Sequence, residues 1–166
     1  MILRLAAAVM FTAAGTMCGV HFSEKLRSGR ELCRSITALI IRCSCLIRAL
    51  GLDVYRLSDE LSRSGFEQLS FIDKLPREYA YGVTFSQSWK NAVDTQTMEN
   101  EERGLLIRLG NILGTSDIDG QVAALSVLQS EAEQLSNRRG QAYITKSRLY
   151  RSSGALFGIM LGIIII

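Results

Sequence analysis

The sequence predicts an all-α protein: a cytosolic helical bundle flanked by an N-terminal and a C-terminal transmembrane helix. Three observations predict it. The 166 residues hold a single Pro, Pro76, and Pro is the residue that most reliably breaks helices. Apolar residues recur three and four apart through most of the chain, the period of one helix face. Charge is confined to the middle: Arg4 is the one charged residue outside 21–154, so the ends are apolar and the interior holds 18 of 19 basic and all 16 acidic residues. That balance excludes a nucleic-acid binder with a basic stripe and interleaved aromatics. The expected organisation is an anchor over 1–21, a cytosolic helical domain over 22–151 and a second anchor over 152–166.

After Arg4 the first segment, MILRLAAAVMFTAAGTMCGV, is uncharged up to His21, close to the lower limit for a spanning helix. A signal peptide is the alternative, with one Arg, a short apolar core and small residues Ala13, Ala14 and Gly15. That alternative makes the chain a secreted helical protein. The apolar run continues past the small residues, which favours the anchor. The next helix, 22–50, carries Phe22, Leu26, Cys33, Ile36, Ile40, Cys43 and Ile47 on one face. Lys25, Arg27 and Arg30 follow the first anchor closely and, by the positive-inside rule, hold this side in the cytoplasm. Gly51 ends the helix. A short helix over 53–64 has Val54, Leu57 and Leu61 on one side, and another over 66–75 has Leu69 and Ile72. Pro76 breaks it, and a loop runs to Val83. Thr84 caps a helix with Phe85, Trp89 and Ala92 at core spacing.

Residues 101–113 form the next helix, with Gly114 as its left-handed stop. Ser116 and Asp119 resemble a capping box that opens the last helix. Leu125, Leu128, Ala132, Leu135, Arg139, Ala142, Lys146 and Leu149 continue it as a heptad seam interrupted by two cations. The basic cluster Arg138, Arg139, Lys146, Arg148 and Arg151 then meets the final apolar run, RSSGALFGIMLGIIII. Gly154, Gly158 and Gly162 make one glycine face there, and Gly15 and Gly19 offer a matching patch on the first anchor. Such faces let membrane helices pack closely. The partner is the first anchor, a second copy of the chain or another membrane protein.

Catalytic constellations are not found, and neither an enzyme nor a cofactor is expected. Gly110, Gly114 and Gly120 are not followed by the Gly-Lys-Ser/Thr of a phosphate loop, and no nucleophile elbow, HExxH or EF-hand occurs. Four cysteines and one histidine do not make a zinc set: Cys43 and Cys45 lie two apart on a helix and point roughly 200° apart. The pairs Asp117/Asp119 and Glu131/Glu133 read as a helix start and a solvated face.

The stretch LGNILGTSDIDGQ is similar to the G-x-x-LG-x-SD-x-x-x-Q segment of the stage III sporulation protein AB family, with Gly110, Leu113, Gly114, Ser116, Asp117 and Gln121 at its positions. The close of the chain, with Lys146, Tyr150, Gly154, Gly158 and an aliphatic run, resembles the family's close. Trp89 with Ala92 resembles its W-x-x-A element. After Ala38-Leu39 this sequence has IIRCSCLIRALGLD where the family is rich in acids. The resemblance implies a protein held in the membrane at both ends, whose cytosolic domain is similar to those of the F-type platform protein of type II secretion. It further implies a place in a channel complex of the mother-cell membrane around the forespore, beside a secretion-type ATPase, stage III sporulation protein AA, and other channel-complex membrane proteins. Gly110, Gly114, Ser116, Asp117 and Gln121 are then the candidates for partner docking.

Overall fold

The computed structural model describes the backbone of residues 2–79 and 81–165, and the side chains of 23–79 and 81–146 with Met10, Met17, His21, Leu149, Ser153 and Met160. Among the described residues the protein is all-α, with no strand. Five α-helices follow one another: α1 (Ile2–Leu50), α2 (Val54–Arg63), α3 (Phe85–Asp94), α4 (Asn100–Ile112) and α5 (Ile118–Ile165). A 3₁₀ helix, Ser70–Lys74, lies between α2 and α3. The first apolar segment and the helix after it are one continuous element, because nothing between Val20 and Phe22 stops a helix. Among the described residues no helix is long and apolar enough to cross a membrane. Most side chains of the expected anchors, 1–21 and 152–166, lie outside the described residues.

Residues fall into two compact units, Glu31–Ser136, and Met1–Arg30 with Asn137–Ile166. The division sorts charge in a way that the whole-chain balance hides. The second unit has nine basic residues and one acidic; the first has ten basic and fifteen acidic.

The core of Glu31–Ser136 forms where the sequence period places it. In α1 Cys33, Ile36, Ile40, Cys43 and Ile47 are buried, and Leu39 and Leu46 widen that stripe. Such a stripe, three or four apolar residues per two turns, is what a helix needs to face a core rather than a single partner. Gly51 at φ +57 ends α1, and its N–H donates to Ile47 O at 3.0 Å. Asp53 caps α2, accepting from the N–H groups of Tyr55 (2.9 Å) and Arg56 (3.0 Å). Leu57 and Leu61 are buried, and Gly65 at φ +69 turns the chain away. The expected helix over 66–75 shortens to a 3₁₀ turn because Pro76 forces the residue before it into extended backbone, and Leu75 is so at ψ 144. Phe71, Ile72 and Leu75 are nonetheless buried. Thr84 caps α3 as its sequence suggests, accepting from Gln87 N at 3.3 Å.

The centre of this unit is Trp89. It is fully buried, edge-on to Phe71 with ring centroids 5.5 Å apart, and it donates its indole N–H to Leu106 O at 2.7 Å. A helical carbonyl has a second lone pair for such a bond. Glu102 is also buried, 2% exposed, and accepts from the Cys33 thiol at 3.2 Å. Periodicity marks the neighbouring leucines of α4 and gives no sign of this carboxylate.

On α5 the seam is buried at Leu125, Leu128, Ala132 and Leu135. It does not stay so to Leu149, which is 60% exposed. Arg139 and Lys146 occupy the next seam positions, and long cationic side chains keep their charged heads toward water.

Cys33, Cys43 and Cys45 are not in disulfides; the first two are buried, and Cys45 is exposed, as the two-residue step from Cys43 around a helix requires. Burial pushes the Cys43 thiol up to about 12. Its folded form therefore holds its proton where an unfolded thiol has lost it, so the unfolded state is favoured as pH rises between about 9 and 12. Alkylation of the full chain at pH 8 followed by peptide mass mapping is expected to modify Cys45 and spare Cys43, and a denaturant is expected to remove the difference. Stability measured by chemical denaturation is expected to fall above pH 9 less steeply in Cys43→Ala than in the parent.

Candidate functional site

The corner between α4 and α5 is the region the sequence singles out, and its geometry explains each residue there. Leu113 closes α4 in extended backbone, with its N–H on Leu109 O at 3.2 Å, and its side chain is buried. Gly114 follows at φ +75, a conformation that side chains resist. A Cβ at Gly114 would stand 2.8 Å from Val54 Cγ1, so the corner also lies against the first turn of α2. Gln121, one turn into α5, clamps the corner from both sides. Its Oε1 accepts from Gly114 N at 3.0 Å, and its Nε2 donates to Ser116 O at 2.7 Å.

The reciprocal cap expected of Ser116 and Asp119 does not form. Asp117 is the N-cap: α5 begins at Ile118, and Asp117 Oδ1 accepts from Gly120 N, the third helical residue, at 3.3 Å. Ser116 is not available for that role, because its hydroxyl donates to Asp117 O (3.4 Å) while its carbonyl is held by Gln121. A Cβ on Gly120 would lie 2.7 Å from the capping oxygen, which explains a glycine inside the first turn.

Gly110 lies one turn earlier and serves a different neighbour. A Cβ there would fall 2.2 Å from Trp89 Cδ1 and 2.5 Å from Cγ. The candidates therefore divide. Gly114, Ser116, Asp117 and Gln121 come together at the corner; Gly110 belongs to the tryptophan seat. The glycine-face residues Gly15, Gly19, Gly154, Gly158 and Gly162 lie on the backbones of α1 and α5, with surroundings outside the described residues.

What the corner offers outward is separate from what builds it. Ile118 is 45% exposed and Leu50, at the end of α1, is 63% exposed. The two segments adjoin: a Cβ added at Gly51, the residue after Leu50, would touch Ile118 Cδ1 at 3.5 Å. Asp53, Asp117 and Asp119, close by in the chain, are exposed as well. An open groove of about 570 Å³ is lined by Leu52, Tyr55, Arg56, Asp59, Glu60, Arg77 and Glu78. The groove mixes both signs of charge, and its Asp59 is engaged by Arg63 at 2.6 Å. Sequence reasoning missed Leu50 and Ile118, since a helix-end leucine and a first-turn isoleucine carry no periodic signal.

Two substitutions separate these roles. Gly110→Ala is expected to lower stability by about 2–3 kcal/mol, since the added methyl overpacks a pinned indole, and to change the near-UV dichroism of Trp89. Asp117→Ala is expected to cost about 1 kcal/mol in chemical denaturation while leaving that dichroism unchanged.

No curated protein and no solved structure matches the chain. Residues 4–166 match the family described as Stage III sporulation protein AB, from the first basic residue through the corner to the end, and the chain belongs to that family.

Proposed function

We propose that the chain is a non-enzymatic membrane platform of the sporulation channel complex between mother cell and forespore, and that it docks a secretion-type ATPase. Family membership implies a role in sporulation. The finer reading rests on one observation. At a corner whose family-pattern residues are occupied in building it, two large apolar side chains, Leu50 and Ile118, stand outward on adjoining chain segments. Exposed apolar residues grouped on a rigid support are how a protein offers a surface to a partner, whereas isolated ones are ordinary. The ATPase of the stage III sporulation protein AA type is the partner this reading assigns to that surface. Both ends of the chain lie in the mother-cell membrane around the forespore, and residues 22–151 face the cytoplasm.

The test is binding of that ATPase to the full chain in detergent. Leu50→Arg with Ile118→Arg is expected to lower affinity at least tenfold with an unchanged melting temperature. Equal affinity for parent and variant moves docking away from this corner.

The glycine face belongs to the same reading, as the surface through which the ends join other membrane helices. Gly154→Leu with Gly158→Leu is expected to reduce crosslinked oligomers in membranes and leave the helical dichroism intact. An unchanged oligomer yield would remove the face from the assembly.

A further inference from the structure

The unit made of Met1–Arg30 and Asn137–Ile166 has nine basic residues against one acid, Glu24. Two stretches from opposite parts of the chain supply them. They meet within the unit, where the Arg30 guanidinium lies over the Tyr143 ring at 5.4 Å. Lys25 and Lys146 are exposed. Resting on the reading of 1–21 and 152–166 as membrane segments, helix rise gives each basic position on the backbone a height above the hydrocarbon. Lys25 and Arg148 stand at about 6 Å, Arg27 and Lys146 at about 9 Å and Arg151 at about 2 Å. The headgroup layer is about 5–7 Å deep on each side and the Debye length about 8–10 Å. Five basic positions of the sequence therefore lie within reach of headgroup phosphates. Arg30, Arg138 and Arg139 stand about 13–21 Å away and do not.

From this we infer that the five-cation collar Lys25, Arg27, Lys146, Arg148 and Arg151 binds the phosphates of anionic phospholipids and selects them over zwitterionic ones. Orientation by the positive-inside rule needs only an excess of cations on one side. It does not require two sequence-distant stretches at one height with a single carboxylate between them. Four to eight basic residues directly beside a membrane helix suffice for anionic-lipid recognition.

The experiment uses the full chain in nonionic detergent, titrated with phosphatidylglycerol or phosphatidylcholine, with bound lipid counted by native mass spectrometry. Phosphatidylglycerol is expected to bind at least tenfold more tightly, and less tightly as salt rises. Lys25→Gln with Lys146→Gln is expected to weaken it about thirtyfold, at about fivefold per cation, with unchanged helical dichroism. Equal binding of the two lipids by a chain that partitions into the detergent phase overturns the inference and leaves the membrane reading standing. A chain that stays in the aqueous phase on detergent phase separation overturns both. Displacement of the lipid by millimolar inorganic phosphate, or by a short DNA duplex at lower concentration, would instead mark a general anion site and overturn the assignment to lipid.

Discussion

The indole of Trp89 occupies the space where a side chain at position 110 would otherwise be. That single exclusion sets how α3 and α4 approach each other. With no Cβ at Gly110 the ring lies against the helix backbone, close enough for its N–H to reach Leu106 O at 2.7 Å. Phe71 and Phe85 close around the ring, with centroids 5.5 and 5.8 Å away. Ser86 and Asn111 bond across the same pair of helices. A helix interior normally loses stability on receiving a glycine. Here the loss is offset by burying the largest side chain in the protein with its polar atom satisfied.

Much of this was legible in the sequence, for a physical reason. Helix period and chain breakers are local properties, so the α2, α3 and α4 stripes, the Gly51 and Gly114 stops and the Thr84 cap could be read from neighbouring residues. What escaped depends on contacts between distant residues. Gly110 could be recognised as part of a family pattern, but its reason is Trp89, twenty-one residues away. Buried Glu102 was hidden among leucines because its partner Cys33 lies in another helix. The cap moved by one residue, from Ser116 to Asp117, because Gln121 holds the serine's carbonyl from further along. The charge sorting was invisible for the same reason: the two basic stretches are over a hundred residues apart, and averaging along the chain cancels them against the acidic interior.

Under the proposed docking, the α4–α5 corner is a strongly patterned stretch that is architectural and also supports a surface. Its patterned residues act inward or locally, as a left-handed turn, a clamp and a cap. In the proposed docking the outward role falls to unpatterned neighbours, Leu50 at the end of α1 and Ile118 at the start of α5. Rigidity lowers the entropy lost when a partner binds, so a well-clamped corner is a better support for a surface than a loop of the same composition.

The loop between Pro76 and Thr84 has the opposite construction. Tyr81 is 97% exposed, Gly82 at φ +82 turns freely with nothing within 4 Å of a Cβ, and α3 begins afresh with its own cap at Thr84. Helices on either side are each terminated by local bonds, so the intervening length is not set by the core. That makes 81–82 the position where a fluorescent protein or an epitope can be inserted without disturbing the fold. Such a label would report where in the cell the chain resides while both apolar ends are left as they are.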